Sequence, residues 1–203
     1  GDWARGIELR ERAVTLSDDP ARASRLLFEI GEIQERQLKN DDAARDAYER
    51  ALQRDVRSLD ALRALQGQYR KAKRLGDLLG VLRREVDLLN AGHVVGQVRD
   101  AGTTTRLVTL QLEIARYADQ LEGDSAAVLV AFRGALELDP ANTTALLGLE
   151  RLCRRDGRWE ELAEAMRRAP RTQRNVHTLG EALEKLERWS DLGEVRRVEL
   201  ELL

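Results

Sequence analysis

The chain matches itself. Shifted by 84 residues, Ile30 falls on Ile114, Tyr48 on Phe132, Ala51-Leu52 on Ala135-Leu136, Asp55 on Asp139, Leu62 on Leu146, Leu65 on Leu149, Leu78 on Leu162 and Arg83-Arg84 on Arg167-Arg168, with no gap. A second shift, of 30, lays Cys153, Trp159 and Leu162 on Leu183, Trp189 and Leu192. Two registers of this size mean a unit of paired elements copied along the chain, the pattern of a solenoid in which each unit buries its apolar face on its neighbours.

The elements are helices. Apolar residues recur at three- and four-residue steps, as in Leu59, Leu62, Leu65, Tyr69 and then Leu75, Leu78, Leu79, Leu82. The strand-like "AVLVAF", Ala127 to Phe132, lies inside a longer periodic stretch and reads as helix. Asp19 before Pro20, Ser58, the Gly123-Asp124 pair and Gly157 mark helix starts and stops. Together they predict helices over about 3–16, 21–38, 41–54, 58–73, 75–90, 104–122, 124–138, 142–156, 158–168, 171–187 and 189–203. Short links make neighbours antiparallel. The chain is expected to form one domain over 1–203, as blocks 1–90 and 104–203 joined by a loop insertion near 91–103.

One motif recurs at the start of second helices: "RLGDL" at Arg74, "RWEEL" at Arg158 and "RWSDL" at Arg188. The bulky residue is expected to pack back on the partner helix, the Leu to face the seam, and the acid to lie in the first turn, where the helix dipole favours negative charge.

The units resemble tetratricopeptide repeats, whose pattern reads W-x2-L-G-x2-Y, then A-x3-F, then P. In "ALLGLERLCRRDGRWEELAEAM", Leu146, Leu149 and Cys153 take the large first-helix positions, Gly157 the turn, Trp159 the start of the second helix, and Leu162 and Met166 its A-x3-F pair. "AARDAYERALQRD" and "FRGALELDP" repeat the second-helix register with Ala44, Tyr48 and Ala51, and with Phe132, Ala135 and Pro140. The small first-helix residue is present as Gly31, Ala115 and Gly180 but replaced by Gln66 and Glu150. The resemblance implies an all-α, right-handed α-solenoid of about five helix pairs after a leading single helix.

The resemblance also implies an inner face lined by first helices, which collects peptide or helical segments of partners. Carrying the register over, the partner-binding candidates are Arg25 and Phe28; Arg63 and Arg70; Leu112 and Arg116; Leu147, Arg151 and Arg154; and His177, with Glu32, Gly67, Asp119 and Glu181 beside them. Arg63, Arg70, Arg116, Arg151 and Arg154 then form a basic stripe over an apolar floor of Phe28, Leu112 and Leu147, suited to an acidic segment. The Asn that chaperone-tail receptors of this family use to hold a carboxylate is missing.

Catalysis is not expected. His93 and His177 lie far apart, Cys153 falls at a core position, and no glycine-rich phosphate loop or nucleophile elbow occurs. No cofactor or metal is expected. A net charge of −2 gives no pull toward nucleic acid or anionic lipid, and Trp3, Trp159, Trp189, Tyr48 and Phe132 stand at packing positions rather than as base-stacking platforms. No apolar run is long enough to span a membrane. A cytoplasmic setting is slightly favoured, and the Arg-rich basic set points to a GC-rich bacterium. The expected role is a non-catalytic protein-protein interaction scaffold. The alternative is an accessory or regulatory segment of a larger enzyme or secretion or assembly machine. Uncapped end helices predict either self-association through an exposed end or a chain cut from a longer one.

Overall fold

The computed structural model describes residues 2–92, 99–122 and 125–202. Eleven helices follow one another along these residues: α1 Trp3–Thr15, α2 Pro20–Arg36, α3 Asp41–Arg54, α4 Leu59–Lys71, α5 Leu75–Ala91, α6 Ala101–Glu122, α7 Ser125–Leu138, α8 Thr143–Asp156, α9 Trp159–Arg168, α10 Gln173–Lys185 and α11 Trp189–Glu201. Among the described residues there is no strand. The "AVLVAF" stretch lies within α7, as its helical period requires. Helix α6 begins at Ala101, inside the stretch expected as insertion. His93 and the Gly123-Asp124 helix boundary lie outside the described residues.

The helices start where short polar side chains can take up orphan backbone donors. Asp19 accepts from the amide of Ala21 with Pro20 in the first turn, Asn40 accepts from Ala43, Ser58 from Ala61 and Asn142 from Ala145. The 84-residue correspondence extends to the turns. Asp55 takes the amide of Arg57 at 2.9 Å and Asp139 that of Ala141 at 3.1 Å, and the caps Ser58 and Asn142 follow at matching places.

The chain divides into two compact units, residues 1–94 and 95–203. In the first, each helix from α1 to α5 packs on the next in sequence. Ala23, Leu27 and Ile30 of α2, Ala44, Tyr48 and Ala51 of α3, Leu62 and Leu65 of α4, and Leu78 and Leu82 of α5 are buried between them. Each fully buried Leu contributes about 1.5–3 kcal/mol. In the second unit α6 to α11 pack in the same sequential way. The counterpart positions are buried again: Ile114, Ala135, Leu146, Leu149, Leu162, Cys153 and Leu183.

Glycine marks the closest approaches. A Cβ on Gly31 would collide with the ring of Tyr48, and one on Gly148 with the ring of Phe132. Helix α2 can therefore lie against α3, and α8 against α7, only without a side chain at these two points.

Two of the aromatic expectations are corrected. Trp3 is 41% exposed and Trp189 is 62% exposed, so neither is core. Trp159, the counterpart of Trp189, is half-buried because α9 packs on both α8 and α10, whereas α11 packs chiefly on α10 and buries none of its residues fully.

Candidate interaction face

In the first unit the candidates come from α2 and α4. Arg25 is exposed on α2. Phe28 is half-buried, with its ring centroid 5.5 Å from that of Tyr48, so it belongs to the seam with α3 as much as to any open floor. The Tyr48 hydroxyl in turn donates to Glu35 at 3.1 Å, and Lys71 reaches the same carboxylate at 2.8 Å, tying α4 to α2. Burial pushes the Glu35 carboxyl up, but the hydrogen bonds from Lys71 and Tyr48 and the Lys71 charge outweigh it and hold the group below its ordinary value.

Arg63 turns out to have a structural occupation. Its Nε donates to Oε1 of Glu85 at 3.0 Å, while Gln66 donates to the other oxygen at 2.6 Å. Glu85 is fully buried on α5, so the half-exposed guanidinium supplies the countercharge that keeps this carboxylate inside. Arg70 is exposed in the last turn of α4 and is engaged within the protein.

In the second unit the candidates come from α6, α8 and α10. Leu112 is half-buried and packs on Val108, Ala135 and Ala145 with Phe132, Leu136 and Leu138 beside it, a place in the seam between α6 and α7. Arg116 lies exposed with its guanidinium 4.5 Å from the centre of the Tyr117 ring, and it donates to the Tyr117 hydroxyl at 2.5 Å. This cation-aromatic contact fixes an otherwise mobile side chain.

The remaining four residues lie on α8 and α10. Leu147, Arg151 and Arg154 stand at three- and four-residue steps along α8, next to His177 on α10. Leu147 is 44% exposed, a large apolar side chain open to solvent. Arg151 is exposed and forms no ion pair among the described residues. Arg154 instead donates to Glu150 at 3.1 Å and to Glu181 on α10, and these bonds raise the pKa of its guanidinium. Arg174 reaches Glu150 at 3.2 Å. His177 places Nδ1 2.7 Å from Oε1 of Glu199 on α11 and Nε2 3.7 Å from Glu181. Hydrogen bonds from Arg196, then His177, hold the Glu199 carboxyl below its usual range.

Of the four, Arg154 and His177 line an open cleft of about 430 Å³, together with Glu150, Gln173, Arg174, Thr178, Glu181 and Glu199. Its charges are mixed. Three carboxylates answer its cations, so the basic character expected of the row is confined to Arg151 and the outer edge of Arg174. Sequence reasoning placed Glu181 on this face but missed that Glu150, Glu181 and Glu199 neutralise it. It also missed Glu85, although Glu85 continues the Leu78, Leu82 apolar step of α5, the one sign of its burial.

Cys153 is fully buried and burial pushes its thiol up to about 11, which suppresses the thiolate. Among the described residues no three His, Cys, Asp or Glu side chains are placed to hold a metal ion. No helix among them is long and apolar enough to cross a membrane.

No protein-family model matches the chain, and neither does any curated protein. Several solved structures are similar in fold. The crystal structure of MamA shares 19% identity over 88% of this chain and 91% of that one, with a TM-score of 0.45. A tetratricopeptide repeat protein from Parabacteroides merdae shares 17% over 96% and 71%, with a TM-score of 0.46. YrrB, described as a TPR protein with an unusual peptide-binding site, shares 14% over 97% and 93%, with a TM-score of 0.43. This chain's own features are sequential helix packing, glycine set against an aromatic of the adjoining helix at Gly31 and Gly148, and turns repeated at an interval of 84 residues. The described residues form an all-α array of sequentially packed helices with an internal repeat of 84 residues.

Proposed function

We propose that the chain is a non-catalytic protein-interaction scaffold that holds a partner's peptide segment or helix on its first-helix faces, with α8 and α10 of the second unit as the principal site. The observation that carries this reading is the pairing of an open apolar residue with an uncommitted cation: Leu147 is 44% exposed one turn before Arg151, which has no ion pair among the described residues. Both stand beside a cleft whose other charges are already matched. An apolar anchor on the partner would cover Leu147, and an Asp or Glu one turn away would meet Arg151. Arg25, Phe28, Arg70 and Arg116 offer secondary contacts in their own units, while Arg63, Leu112 and Arg154 serve mainly to build the faces.

The reading predicts selective capture of peptides carrying an apolar residue near an acid. A display library of random peptides panned on the chain should enrich that combination, and Leu147→Ser with Arg151→Glu should lower the affinity of enriched peptides about ten-fold or more while the helical circular dichroism is kept. Enrichment of unrelated sequences, or equal binding by the folded double variant, would reject it.

A further inference from the structure

Helices α1 and α11 each present a face that no other helix covers among the described residues. On α1 it consists of Arg5, Glu8, Leu9, Arg12 and Leu16, all exposed, with Leu9 at 58% and Leu16 at 84%. On α11 it consists of Trp189, Gly193, Glu194, Arg197, Leu200 and Glu201, again all exposed, with Trp189 at 62% and Leu200 at 71%. Single exposed apolar residues are ordinary, but two on one stripe of a helix, bordered by charge, make an edge.

The two faces are complementary in charge. Arg5, Glu8 and Arg12 follow at steps of three and four, and Glu194, Arg197 and Glu201 follow at the same steps with every sign reversed. Laid side by side in parallel, each charge meets its opposite, and Leu9 comes within a turn of Leu200. The handedness agrees. At about 100° per residue, the order from apolar edge to charged edge runs one way round α1 and the other way round α11. Parallel facing helices need that opposition for apolar edge to meet apolar edge. None of Arg5, Glu194, Arg197 and Glu201 has a side-chain ion pair among the described residues, and the Glu8–Arg12 pair is exposed and weak.

We propose that a second copy of the chain docks here head to tail, the α1 face of one molecule on the α11 face of the next. This rests on different residues from the peptide-binding reading above and stands or falls separately. Such a contact is heterologous, so each added copy leaves one α1 face and one α11 face free and association can continue. A two-helix contact is small, so the association is weak, with half-assembly on the order of 100 micromolar at low salt. It is salt-sensitive because its specificity is charge.

Sedimentation velocity across a concentration series tests this. The wild-type chain should shift to larger species with rising concentration, and roughly 0.5 M salt should reverse the shift. Arg5→Glu/Arg12→Glu should weaken self-association about ten-fold, and so should Glu194→Arg/Glu201→Arg, each with unchanged circular dichroism. Mixed together, the two variants match one intact α1 face to one intact α11 face and one reversed α1 face to one reversed α11 face, so the mixture should regain the assembly that each alone has lost. The chain carrying all four reversals should recover assembly. A wild type that stays monomeric to about 1 millimolar at low salt overturns the proposal, as does self-association that either variant leaves untouched or a mixture that forms no complex.

Discussion

The guanidinium of Arg188, the residue that starts α11, lies 2.5 Å from the carboxylate of Asp191, three residues on in its first turn. The relation repeats wherever the motif does: Arg74 meets Asp77 at 2.7 Å, and Arg158 meets Glu161 at 3.6 Å. In none of these three helices does the side chain of the residue before it accept a hydrogen bond from a first-turn backbone amide. The arginine side chain stands in by clamping the acid that the dipole favours. The basic residue of the motif thus has a local job, and the acid of α11 has a second partner in Arg167 of α9 at 2.8 Å.

Each clamp is solvent-exposed, so its individual contribution is small. A double-mutant cycle on Arg188→Ala and Asp191→Ala, read by urea denaturation, should give a coupling of about 0.3–1 kcal/mol that shrinks in salt. Coupling above about 2 kcal/mol would mean the pair does more than hold one turn.

The residue just before each clamp, or before the Asn40 cap, bends the chain to the left-handed region: Lys39 at φ 55°, Lys73 at 55°, Gly157 at 68° and Glu187 at 56°. Only Gly157 takes this conformation without strain. Lys73→Gly and Glu187→Gly should raise stability by up to about 1 kcal/mol, and Gly157→Ala should lower it by about as much. Thermal melts of the three variants, with opposite signs, check the assignment.

Gly31→Ala and Gly148→Ala drive a methyl into Tyr48 and Phe132, so each should cost about 1–3 kcal/mol through displaced rings. Gly80, by contrast, has open space where its Cβ would lie within α5, and Gly80→Ala should stabilise by about 0.5–1 kcal/mol. Chemical denaturation of the set distinguishes glycine needed for packing from glycine that is merely tolerated.

Arg63→Met removes the countercharge of a fully buried carboxylate and should destabilise by about 1–3 kcal/mol, less than for a wholly buried pair because Arg63 is half-exposed and Gln66 remains bound to Glu85. Pairing it with Glu85→Leu should recover most of the loss. Any peptide binding by the first unit must therefore be measured with stability monitored alongside, since loss of Arg63 reads first as unfolding.

Acid should loosen the fold in a definable window. Glu11 is held below its ordinary value of 4.5 mainly by the hydrogen bond from Arg50, and Glu35 and Glu199 are lowered as well. A carboxyl whose pKa is lower in the folded than in the unfolded state contributes stability in full above the unfolded value and loses it as pH falls through the folded one. Stability should be flat from pH 7 to about 5 and fall progressively below about 4.5, and Arg50→Met should flatten part of that fall.

The helices and turns were legible in the chain because they are local. A three-to-four-residue apolar step, a capping Asp, Ser or Asn and a proline in the first turn act over a few residues, and Asp19-Pro20, Ser58 and Gly157 sit where such rules place them. The 84-residue echo brought Asp55 and Asp139 to the same turn for the same reason, since equal local sequence makes equal local hydrogen bonds. Side-chain partnerships across helices are different. Arg63 and Arg151 were both expected on inner faces, yet one reaches a buried carboxylate on the next helix and the other meets none among the described residues. Trp159 and Trp189 share a motif, and their exposure differs because a helix packs on both sides of α9 but on one side of α11. Burial and ion pairing depend on what lies across a seam some 8–10 Å wide, and that distance is set only when the helices pack.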